Sequence, residues 1–166
     1  SNNKIVQNVV KGNGKYGIQI LNDATKSANN TIKDNTINDN SDIAIFNHGI
    51  FTTIFNNTIK YNEEDGIKIA SGGARTTIDS NNLVDNEGKA IAILANNVIV
   101  KSNTVDADSS EIAVSVLNAN SVSIENNTIE GGSQGIKIQN GPNAFVYKNT
   151  VKSNSGYGIY LLINST

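Results

Sequence analysis

Two sets of side chains in this 166-residue chain are of types that do chemistry. The first holds the only histidine, His48 in F-N-H-G, the only arginine, Arg75 in S-G-G-A-R-T, and Lys68 in G-I-K-I. A base, a guanidinium and an ammonium group on one surface suit proton abstraction beside a carboxylate. One cation neutralises the carboxylate while the base removes the adjacent C–H proton. The plainer reading is three ordinary solvent-exposed cations, since His48 sits beside Gly and Asn in a turn. The second set is acidic. Eleven of fifteen carboxylates fall in one type of connecting segment, among them Asp65, Glu87 and Asp106. Stacked carboxylates supply hard oxygen ligands, so Asp65, Glu87 and Asp106 are the candidate Ca²⁺ ligands. Lys60 and Lys89 fall in the same segments and dilute the charge. No D-x-D-x-D-G loop or G-G-x-G-x-D nonapeptide is present. A solvated acidic edge is therefore favoured over a calcium site, and no cofactor is expected.

What must position these residues is a repeat. An aliphatic, two residues, an asparagine, one residue and a second aliphatic recur seven times, with the asparagine at Asn8, Asn35, Asn57, Asn81, Asn103, Asn127 and Asn149. The spacings are 27, 22, 24, 22, 24 and 22 residues. Periods of this size mark solenoids. A second apolar segment follows each asparagine by eight to ten residues: Y-G-I-Q-I-L, D-I-A-I-F, D-G-I-K-I-A, K-A-I-A-I-L, Q-G-I-K-I-Q and Y-G-I-Y-L-L. In the fifth unit E-I-A-V-S-V fits two registers, Ile112/Val114 or Val114/Val116. These segments alternate with period two, are rich in β-branched residues and are too short for helices.

Each unit thus contributes three short strands, none of which can bury its apolar face alone. Stacking like strand on like strand encloses all three faces in one interior. The expected fold is all-β: a parallel β-helix of about seven coils with three parallel sheets, roughly 34 Å long at ~4.8 Å per coil. The asparagine is expected at the tight corner between the second and third strands, in the left-handed conformation that Asn tolerates well. Its side chain points inward, where a buried amide needs partners that the stacked asparagines supply. The outward positions of the G-I-x-I strands are read as Gln19, Ala44, Lys68, Ala92, Lys137 and Tyr160.

The N-x-[IVL] corners and G-I-x-[IL] strands resemble the right-handed parallel β-helix of the pectate-lyase-like superfamily, with repeats of the PbH1 type, over essentially the whole chain. The resemblance implies the fold. It spans polysaccharide lyases and hydrolases, alginate C5-epimerases, phage tailspikes and surface repeat proteins, so it implies a carbohydrate-related or structural role without choosing among them. In such enzymes substrate often lies along the outer face of the G-I-x-I strand, where His48, Lys68 and Arg75 would be the catalytic candidates. The D-P-H motif of the epimerases is absent, and the outward strand positions carry no paired aspartates for a glycosidase.

Net charge of −2 gives no electrostatic reason for a nucleic-acid partner. No apolar run approaches a membrane span. There is no cysteine to indicate a redox compartment. The chain opens and closes inside a repeat with no capping segment. It is expected to be a single β-helix domain, residues 1–166, that is a piece of something longer or a unit stacking on itself, with further coils or another copy at both ends. Two functions follow. One is an extracellular or cell-surface rod with a structural or adhesive, polysaccharide-binding role. The other is a uronate lyase or C5-epimerase, or a fragment of one.

Overall fold

The computed structural model describes residues 2–21, 29–108 and 111–163. The described chain winds through seven coils, and each coil gives one strand to each of three seven-stranded parallel sheets. Sheet A holds the strands that end two residues before each repeat asparagine, such as Thr53–Phe55, and sheet B the strands just after it, such as Thr58–Lys60. Sheet C holds the G-I-x-I strands, such as Ile67–Ile69. Strands pair in register from coil to coil: Ile54 lies on Ile78, Ile59 on Leu83 and Ile67 on Ile91. All three sheets turn their aliphatic side chains into one interior. In coils three and four Ile54, Ile59, Ile67, Ile69, Ile78, Leu83 and Ile91 are wholly inaccessible to solvent.

The asparagine ladder is present. Each repeat asparagine donates from Nδ2 to the Oδ1 of its successor over 2.9–3.0 Å, without a break from Asn8 to Asn149. The same Oδ1 also accepts the backbone N–H of the preceding asparagine, at 2.9 Å for Asn81 on Asn103. Asn35, Asn57, Asn81, Asn103 and Asn127 are buried, while Asn8 and Asn149 in the end coils are not.

The left-handed conformation expected at these asparagines falls one residue earlier. The left-handed residue of the A-to-B corner is the one before the ladder asparagine: Gln7, Asp34, Asn56, Ser80, Ser102, Asn126 and Lys148, all with φ between 52° and 58°. The ladder asparagines have ordinary φ. Turning the chain from sheet A into sheet B within two residues takes one left-handed step, whose side chain then points outward, so position and not residue type decides which one takes it. What the ladder asparagine contributes is its hydrogen bonds.

Two register questions are settled by pairing. In coil two Ile45 pairs with Ile18 and Ile67, so Ile45-Phe46-Asn47 is the G-I-x-I equivalent and Ala44 takes the glycine position. The outward residue of that coil is therefore Phe46, and Ala44 is completely buried. A buried Asn47 stands where the other coils have an aliphatic, which hid this register in the sequence. In coil five Val114 and Val116 pair with Ile91 and Ile93, the second of the two registers.

A second column was not foreseen. Five residues after the ladder asparagines, Asn13, Asn40, Asn62 and Asn86 form their own amide chain at the B-to-C corner, with Nδ2–Oδ1 distances of 2.7–2.8 Å. Asn40, Asn62 and Asn86 are buried. The repeated N-x-x-x-x-N spacing was visible in the sequence.

The inward residues of the last coil, Ile159 and Leu161, are 56% and 58% exposed. They line an open apolar hollow of about 730 Å³ with Ile138, Ala144 and Val146. No helix of the described residues is long and apolar enough to cross a membrane.

Candidate functional site

Register places one residue per coil on the outer midline of sheet C: Gln19, Phe46, Lys68, Ala92, Ser115, Lys137 and Tyr160. At the midpoint the side chains are small. Ala92 and Ser115 form the floor of a shallow groove of about 160 Å³, whose walls are Asp65, Lys68, Lys89, Leu94 and Leu117. Aromatic side chains stand at both ends of the face. Tyr16 stacks on Phe46 at 5.2 Å, and Tyr157 on Tyr160 at 5.0 Å. Lys137 Nζ lies 5.9 Å from the Tyr160 ring centre.

Asp65 organises the groove. It is buried, its Oδ1 accepts the Lys89 backbone N–H at 2.9 Å, and its Oδ2 lies 3.5 Å from Lys68 Nζ. Gly88 makes this possible. A Cβ there would sit 2.6 Å from the Asp65 backbone nitrogen and 2.9 Å from its Oδ1. Thus Lys68, a candidate charge-neutralising cation, and Asp65, a candidate calcium ligand, belong to one ion pair that the sequence did not connect.

His48 and Arg75 lie at the next corner, between sheets C and A. The His48 ring packs on Gly72 of the coil above, where a Cβ would approach it to 2.7 Å. Arg75 takes φ +58°, and its guanidinium sits over the Phe51 ring at 5.2 Å. Among the described residues no hydrogen bond or ion pair joins His48, Lys68 and Arg75. What holds this corner is a buried polar knot missed from the sequence. Asn47 Oδ1 accepts from the Gly49 N–H and the Thr52 hydroxyl. Asn47 Nδ2 donates to Gly49 O and Thr76 Oγ1. Every donor and acceptor of that amide is satisfied, so the segment between Asn47 and Thr52 is fixed.

The metal candidates separate. Asp65 is engaged as above, and Glu87 lies in the B-to-C corner with its N–H on Asn62 O. Asp106 faces outward from sheet B, paired in register with Glu130. Among the described residues no three carboxylates or imidazoles converge on one point. Partial desolvation, then repulsion from Asp85 and Glu130, raises the Asp106 carboxyl above the usual carboxylate value, while Lys152 opposes the shift. Lys152 itself is raised, first by its hydrogen bond to Glu130, whose carboxylate lies 2.7 Å away.

Among curated proteins no sequence matches this chain. Solved structures do. The A-module of the mannuronan C-5 epimerase AlgE4 from Azotobacter vinelandii superposes over 99% of this chain and 56% of its own, with a TM-score of 0.81 at 14% identity. The surface protein and adhesin PfbA of Streptococcus pneumoniae superposes over 87% of this chain and 51% of its own, with a TM-score of 0.53 at 17% identity. The chain therefore spans about half the length of each, and likeness at these identities is likeness of fold. The sequence signature of the right handed beta helix region fits residues 1–111 and again residues 74–166. Together those matches run the length of the chain, which belongs to the right-handed β-helix family.

Proposed function

We propose that this chain is a β-helix rod, extracellular or at a cell surface, whose role is structural or adhesive and which holds a polysaccharide along the outer face of sheet C. The carrying observation is that face: a groove with a two-residue floor of small side chains, walled by Lys68 and Lys89, with stacked aromatic pairs at either end. Sugar rings pack on aromatic faces, and ammonium groups pair with acidic substituents. That a mannuronan epimerase module and a surface adhesin share the fold adds to the reading. The open faces of the end coils would be covered by further coils or another copy. The test is binding of polymannuronate and polygalacturonate to the chain and to the Lys68→Gln/Lys89→Gln double variant. The reading expects weaker binding by the variant, and equal binding would remove the groove from it.

The buried Asp65 carboxylate against Lys68 supports a second reading, a uronate lyase or epimerase. An ammonium held by a buried carboxylate is positioned to neutralise a uronate while another group takes the proton. Incubation with the same polymers, following ultraviolet absorbance of an unsaturated product and proton exchange at C5, decides it. Neither signal would leave the binding role alone.

A further inference from the structure

The C-to-A corner of coils two to six differs from every other edge of the rod. Residues 48–51, 70–75, 94–97, 117–121 and 139–143 contain no Asp, Glu or Lys. They contain the only Arg and the only His of the chain, together with seven Asn or Gln side chains. The B-to-C edge is the opposite, since eleven of the fifteen acids gather there. An anionic polymer is repelled along that edge and meets no fixed negative side chain along this one.

The corner is also preorganised. The left-handed residues Phe51, Arg75, Asn97, Ser121 and Asn143 stack one per coil, with φ of 54–58°, and so project outward as a ridge roughly 20 Å long at the coil spacing. Arg75 is steadied on the Phe51 ring, and among the described residues it makes no ion pair. Asn120 links three coils: its N–H donates to Asn96 Oδ1 at 2.7 Å, and its Oδ1 accepts from Ser121 at 2.8 Å and from Asn143 at 3.3 Å. These amides are exposed, so fixing them serves no burial. Beneath Phe51, the Asn47–Thr52–Thr76 knot replaces apolar lining with hydrogen bonds that hold this corner still.

We infer that this ridge is a second glycan-binding surface, distinct from the sheet C groove, for a linear polysaccharide bearing carboxylate groups and lying parallel to the rod axis. Amide side chains both donate to and accept from sugar hydroxyls. The fixed guanidinium presents a fork matched to a carboxylate. The inference rests on the polysaccharide-binding reading but places the ligand on different residues, so the two fail separately.

The experiment compares polymannuronate with neutral mannan on the 166-residue chain, on Arg75→Gln/Asn120→Ala, on Lys68→Gln/Lys89→Gln and on the two combined. Gln already occupies a left-handed corner at position 7, and both ridge residues are exposed, so the ridge variant is expected to melt with the parent. Loss of one exposed guanidinium–carboxylate contact and its neighbouring amide should weaken polymannuronate binding by about fivefold or more. That loss should persist in the background of the groove variant. Unchanged polymannuronate affinity in the ridge variant, with affinity lost in the groove variant, overturns the ridge and keeps the groove. Equal affinity of the parent for neutral mannan overturns the assignment of an acidic ligand. Absence of any binding by the parent overturns both surfaces.

Discussion

Replacing Asn103 by Ala removes an interior rung of the amide ladder, and its cost can be worked from the bonds lost. Asn103 Oδ1 accepts the Asn81 backbone N–H at 2.9 Å and Asn81 Nδ2 at 3.0 Å. Its Nδ2 is shared among Asn127 Oδ1, Lys101 O and Ile78 O at 2.9–3.0 Å. Most of these partners keep another bond. Asn81 Nδ2 still reaches Ile54 O and Asp79 O. Asn127 Oδ1 still accepts the backbone N–H of residue 103, and Lys101 O still accepts from Ser80. The Asn81 backbone N–H does not, because Oδ1 of residue 103 was its acceptor and the corner is closed to water. One orphaned buried N–H costs about 1–3 kcal/mol. For a chain of this size that lowers the melting temperature by roughly 2–12 °C. Asn8→Ala is the internal control. Asn8 lies in the exposed first coil and only donates within the ladder, so its loss strands no backbone donor. Thermal and urea denaturation of both variants beside the parent make the measurement. Equal stability of Asn103→Ala and Asn8→Ala would refute the argument that the ladder serves the backbone donors of its corners.

Asp106→Asn should stabilise the chain near neutral pH. The native carboxyl is held above its ordinary value of 3.8, so the unfolded chain releases its proton first as pH rises and the native state loses ground through that window. The gain in melting temperature should vanish as pH falls below the ordinary carboxylate range and shrink in salt, since the side chain is exposed. A gain that persists at pH 3 would contradict it. Gly88→Ala should destabilise the chain and disturb the Asp65–Lys68 pair, because the new Cβ meets the Asp65 and Glu64 backbone at 2.6 and 2.7 Å. Wild-type stability with normal ligand binding in that variant would show that the two coils separate more easily than their packing suggests.

The repeat phase, read from the sequence, determined the three sheets, the stacking and the ladder. Each coil's aliphatic positions can face only one interior, and an amide among them must find its own kind above and below. Where a coil departs from the pattern, the sequence misled. Asn47 breaks the aliphatic alternation, and only pairing with Ile20 and Ile69 moved Phe46, rather than Ala44, onto the outer face. Residue type points the left-handed step to the asparagine, whereas corner geometry puts it at the position before, even at Gln7 and Lys148. Candidate sites were the least legible part. Asp65, Lys68 and Lys89 meet across coils 24 residues apart, and Arg75 meets Phe51 at the same separation. Such contacts depend on which side chains share a face and how far each corner turns, and those are fixed only when one coil is laid on the next.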